Sequence, residues 1–109
     1  MNVKLPPPIV SFFEAFNAHD TDHFVTLFTA DALVTDEAQE YRGGAAIKGW
    51  IERANAQYNP KAEVTGLATT GDMIAVTAQI SGTFPGSPIQ LRHKFTLRDD
   101  KIAALTIEP

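Results

Sequence analysis

Asp36 and His93 are the two side chains of this sequence best suited to do chemistry. Asp36 closes the segment Asp31-Ala-Leu-Val-Thr-Asp36, where strand-forming residues give way to polar ones. A carboxylate at a strand end beside an apolar helix face can act as a general base, because desolvation raises its pKa toward working pH. It can equally be an Asx-type turn residue, and alternation does not decide, since Leu33 and Val34 are apolar on opposite faces. His93 belongs to the series Leu91, His93, Phe95, Leu97, which alternates with Arg92, Lys94, Thr96 and Arg98. The imidazole therefore lies on the buried side of a strand. There it is either a core histidine satisfied by a carbonyl or water, or a neutral donor or proton relay.

The remaining candidates are weaker. The absence of cysteine excludes disulfides, thiolate metal sites and a thiol nucleophile together. His19 and His23 have a metal-like spacing, but His19 precedes the helix cap Asp20, so the two need not share a face and no metal site is expected. Ser11, Ser81 and Ser87 lack a nucleophile-elbow context. Gly43-Gly44 could receive an anion at a helix start, yet the phosphate-loop lysine is missing, so a tight turn is the simpler reading. Trp50, Phe12, Phe28, Phe84, Phe95 and Leu105 are core or pocket-lining residues. Trp50 is the foremost ligand contact, since its ring is large and its N–H wants a partner. Tyr58 stands either near the pocket mouth or on the surface, with the surface preferred.

These residues must be positioned by a single domain, since 109 residues suit one core. Hydrophobic content of 44% against 20% charged residues describes an ordinary globular chain. A net charge of -4 leaves no excess of cations to neutralise phosphates, so nucleic acid is an unsuitable partner. No apolar run approaches the roughly 20 residues that span a bilayer, and prolines stand where a signal peptide needs an apolar stretch, so no membrane partner and a cytoplasmic location are expected.

Residues 1–8 read as an extended lead-in with Pro8 able to enter a first helical turn. Ile9, Phe12, Phe13 and Phe16 then form one helical stripe ending near Ala18. Asp20 caps a second helix, with Phe24, Leu27 and Phe28 on its inner face. Leu33 to Thr35 is a short strand, broken by Asp36-Glu-Ala-Gln-Glu. Gly43-Gly44 opens a third helix with Ile47, Trp50, Ile51 and Ala54 inside and Lys48 paired to Glu52 outside, and Asn59-Pro60 ends it. From Lys61 the period changes to two. Strands follow over about Ala62 to Thr69, through Ile74 to Ile80, through Leu91 to Leu97, and over Lys101 to Glu108. Gly71-Asp72, Pro85-Gly86 and Asp99-Asp100 supply the turns. Three helices followed by a meander imply an α+β fold in which helices cover one face of a curved antiparallel sheet.

Four segments together resemble the nuclear transport factor 2-like superfamily: Phe16-Asn-Ala-His-Asp20, Leu27-Phe-Thr-Ala-Asp-Ala-Leu-Val-Thr-Asp36, Tyr41-Arg-Gly-Gly-Ala-Ala-Ile47 and Arg98-Asp-Asp-Lys-Ile102. Within it the pattern is similar to the SnoaL-like (polyketide cyclase) group, itself related to ketosteroid isomerases, over roughly Ile9 to Ile107. The resemblance implies a cone-shaped roll, a cystatin-like curved sheet wrapped around three N-terminal helices, with a deep apolar pocket. It also implies a homodimer through the outer sheet face, where Thr77, Gln79, Arg92, Lys94 and Thr96 would stand. Asp36 matches the aspartate that shuttles a proton beside a carbonyl in ketosteroid isomerases. The tyrosine and the protonated aspartate that hold the enolate oxygen in those enzymes match Phe12 and His93, so neither is retained. Trp50 and Ile51 stand at aromatic pocket positions, and Asp100 replaces a turn glycine.

The expectation is a cofactor-independent isomerase or cyclase acting on a hydrophobic carbonyl compound, with Asp36 as base, His93 as enolate stabiliser or relay, and Trp50 shaping the pocket. A non-catalytic binding protein for an apolar small molecule and a protein-interaction module are the alternatives.

Overall fold

The computed structural model describes residues 5–109. Helix α1 (Pro7–Ala18) starts with Pro7 in its first turn, where a missing N–H costs nothing, so the helix begins inside the expected lead-in, whose first four residues lie outside those described. Its stripe of Ile9, Phe12 and Phe13 is buried, and His19 ends it in the left-handed conformation. Asp20 caps α2 (Thr21–Thr26) by accepting from the His23 N–H.

α2 is shorter than the apolar pattern implied. Leu27 is its cap, and Phe28 already belongs to strand β1 (Phe28–Asp36), paired with Ile102. Sheet pairing overrides helical periodicity there. β1 turns through Glu37 and Ala38, both at positive φ, into strand β2 (Gln39–Arg42). The sequence hid this hairpin because neither residue is the glycine or asparagine such turns favour. Asp31 lies within β1 and pairs with Arg98 at 2.6 Å.

Helix α3 (Gly44–Tyr58) follows Gly43, whose φ of +86 suits glycine, and buries Ile47, Trp50 and Ile51. Lys48 pairs with Asp22 of α2 at 3.4 Å, in place of the expected Glu52. Strands β3 (Lys61–Thr70), β4 (Met73–Ser81), β5 (Ile89–Arg98) and β6 (Lys101–Glu108) complete a six-stranded sheet in the order β2-β1-β6-β5-β4-β3. Every neighbouring pair is antiparallel except β1 with β6. Asp99 and Asp100 both take left-handed backbone at the β5–β6 turn, which aspartate tolerates. The three helices cover one face of this curved sheet, as the α+β reading required.

Candidate active site

Strand register brings the two chemical candidates to one rung. Ile107 on β6 lies opposite Asp36 on β1 and also opposite His93 on β5. Residues directly across a sheet point to the same face, so Asp36, Ile107 and His93 all project inward. The Cα atoms of Asp36 and His93 are then two strand spacings apart, roughly 10 Å. The next rung inward, Val34–Leu105–Phe95, is fully buried, and this decides the question that alternation left open for Asp36.

Both side chains border a cavity of about 400 Å³. Phe16 of α1, Trp50, Ile51, Ala54 and Tyr58 of α3, and Phe84 and Pro85 of the β4–β5 loop form much of its wall. The lining is predominantly apolar, and Asp36, Glu37, His93, Trp50 and Tyr58 are the lining residues that carry polar side-chain atoms.

The Asp36 carboxylate accepts a hydrogen bond from the Trp50 indole, Nε1 to Oδ2 at 3.1 Å. Burial pushes its pKa above the ordinary carboxylate value, and the neighbouring Glu37 charge adds to the rise, while the Trp50 and Glu37 N–H groups oppose it. Trp50 is itself held between Phe24 and Tyr41, with ring centroids 6.2 and 6.0 Å away. The indole is thus locked by packing and its one polar atom is committed to the acid.

His93 occupies a different environment. Phe13, Phe12 and Phe95 surround the imidazole at centroid distances of 5.4, 6.2 and 6.3 Å. Its Nδ1 is buried without a hydrogen-bond partner, an expensive state for a polar atom. Burial lowers its pKa to about 4, so the ring is neutral near pH 7, although the Leu91 and Val76 carbonyls pull the other way. A neutral imidazole facing a raised carboxylate across an apolar floor is an arrangement able to move a proton and to stabilise a developing oxyanion.

The model of the SnoaL-like domain matches residues 9–105. The chain belongs to the SnoaL-like family. A presumed polyketide cyclase from Sinorhizobium meliloti is 38% identical, with a TM-score of 0.92 over 95% of each chain. A ketosteroid isomerase-like-fold protein from Catenulispora acidiphila, solved with trimethylamine, is 22% identical at a TM-score of 0.84, covering 97% of this chain and 87% of that one. An epoxide hydrolase/cyclase-like enzyme of pyran ring formation in salinomycin is 22% identical at 0.81, covering 93% and 86%. The last two show the shared fold. No curated protein matches the sequence.

Of the six residues named as core or pocket-lining, this SnoaL-like domain brings Trp50 and Phe84 to the cavity. Phe12, Phe28, Phe95 and Leu105 are corrected to core: they are at most 5% exposed, packed together at the closed end of the roll, and none borders the cavity. Tyr58 is exposed, as expected, and also borders the cavity, edge-on to Phe84 at 5.7 Å. Glu37, Phe16, Leu91 and Ile107 were missed as wall residues. Helical spacing offered a signal for Ile51, Ala54 and Tyr58, which follow Trp50 along one face of α3. His19 hydrogen-bonds the Pro60 carbonyl at 2.9 Å, which ties α1 to the start of β3.

No helix of the described residues is long and apolar enough to cross a membrane.

Proposed function

We propose that this SnoaL-like domain is a cofactor-independent enzyme of the isomerase or cyclase type, acting on a hydrophobic carbonyl compound held in the cavity. Asp36 takes the proton next to the carbonyl, and neutral His93 hydrogen-bonds the resulting enolate oxygen or relays the proton. Trp50 walls the cavity and fixes the base. The observation that carries this reading is the shared rung: a desolvated carboxylate and an unpartnered buried imidazole border one apolar cavity. The S. meliloti relative, described as a presumed polyketide cyclase, supports the same class. Asp36→Asn is the test, measured as turnover of a converted ligand. A loss of about 10² to 10⁴ is expected. A rate within a few-fold of wild type sinks the base.

One observation favours a second reading, a binding protein without catalysis. Phe12, at the position of the isomerase tyrosine, is buried in the core and brings no hydroxyl to the cavity. Tight ligand binding with an ordinary Asp36 carboxyl pKa by NMR would establish this alternative. An interaction module is disfavoured by the unfilled cavity.

The outer sheet face is proposed as a homodimer surface. Thr77, Gln79 and Lys94 are only half-exposed there, and Lys94 is held flat on Glu108 at 2.6 Å. Sedimentation of wild type against Thr77→Arg checks it.

A further inference from the structure

We infer that the cavity selects its ligand by charge, admitting an uncharged carbonyl compound and turning away carboxylates and phosphates, with Glu37 at the mouth as the specificity-determining residue. This rests on the cavity being the substrate site. Two carboxylates, Asp36 and Glu37, border the cavity, and no lysine or arginine among the described residues does. The basic side chains of the described residues are engaged elsewhere, Arg42, Lys61 and Lys101 on the backbone carbonyls of Asp31, Asn17 and Thr26. Arg92 and Lys94 lie on Glu108, Arg98 on Asp31, Lys48 on Asp22, and Arg53 over the Tyr41 ring. Nothing on the wall compensates an incoming negative charge.

His93 does not supply that compensation. Its ring is enclosed by phenylalanines and kept neutral by burial, so it brings no cationic charge to the cavity. The β1–β2 turn then decides where the second acid stands. Glu37 at φ +52 is the first turn residue directly after Asp36, exposed to solvent yet bordering the cavity. A substrate acid group must pass this charge and then lie in low dielectric near Asp36, where like-charge repulsion is least screened.

The experiment uses two matched probes that the cavity volume accommodates, methyl naphthyl ketone and naphthoate, with binding followed by NMR shifts of wall residues at neutral pH and two salt concentrations. Wild type should bind the ketone about tenfold or more tighter than naphthoate. Glu37→Lys should raise naphthoate affinity several-fold at low salt, with a smaller gain at high salt, and so narrow the ketone/naphthoate ratio. Glu37→Gln should give an intermediate ratio. Equal affinities in wild type, a ketone/naphthoate ratio that Glu37→Lys does not move, or failure of both probes to bind would overturn the inference. Because binding is the readout, this result is separate from the Asp36→Asn turnover test: either can fail while the other stands.

Discussion

Two adjacent rungs of one sheet face have opposite fates. Val34, Leu105 and Phe95 form a rung that is fully buried, sealed by Phe12 of α1 at 5.1 Å from the Phe95 ring. Two residues along each strand, Asp36, Ile107 and His93 form a rung that faces an open cavity. Strand character and direction are the same in both. What differs is the layer above: α1 seals the first rung with Phe12, whereas over the second its Phe13 packs on His93 while Phe16 of α1 and Trp50 of α3 stand as walls around open space. The closed rung holds the fold together, and the open one is free to hold polar groups that a packed core would reject.

The contrast can be broken most sharply at β5. Phe95→Ala should cost about 3–5 kcal/mol by denaturant unfolding, whereas Leu91→Ala, on the same strand face but at the cavity wall, should cost only about 1–2 kcal/mol because part of that side chain already faces open space. Equal costs would mean that the cavity closes in solution.

The open rung should show itself next through pH. Burial holds the folded-state pKa of His93 at about 4 against an ordinary 6.5, so between those values the folded chain binds fewer protons than the unfolded one. Stability must therefore fall as pH drops through that window, by roughly 3 kcal/mol in total. His93→Leu should lack that loss, read as the difference between the two proteins in urea unfolding across the range. Asp36 carries the opposite sign. Its raised pKa means the folded state keeps the proton longer, so its contribution is greatest below the unfolded pKa and is lost as pH rises through the folded one. Asp36→Asn should accordingly be relatively more stable on the alkaline side of that window.

A smaller effect is expected at the edge of the open rung. Trp50→Phe keeps the ring between Phe24 and Tyr41 but removes the donor to Asp36. Stability at neutral pH should fall by roughly 1–2 kcal/mol, and the Asp36 carboxyl, followed by carbon NMR, should titrate still higher than in wild type. An unmoved titration would show that the indole only fills space.

Much of the framework was legible from residue order. The stripes of α1 and α3, the Asp20 cap, the alternation of β4 and β5 and three turn signals follow from periods of 3.6 and 2 and from local chemistry. β2 was not legible, because its turn uses Glu37 and Ala38 at positive φ without turn-type residues. The end of α2 was not, because Phe28 fits a helical face as well as it pairs with Ile102. At the site, sequence singled out Asp36, His93 and Trp50, while Phe12, Phe28, Phe95 and Leu105 could not be told from wall residues, since apolarity is common to core and pocket.

The sequence by itself therefore determined the three helices and the strands after Lys61, the inward face of β5 with His93 on it, the lack of thiol chemistry and the family. Only the tertiary structure decided that Asp36 and His93 share a rung across Ile107, that Trp50 donates to the acid, and that one rung is sealed while the next is open. Periodicity is a property of neighbours along the chain. A cavity is a property of what fails to fill the space above them, and that depends on strand register and helix placement between residues some 57 to 71 positions apart, from Asp36 to His93 and on to Ile107.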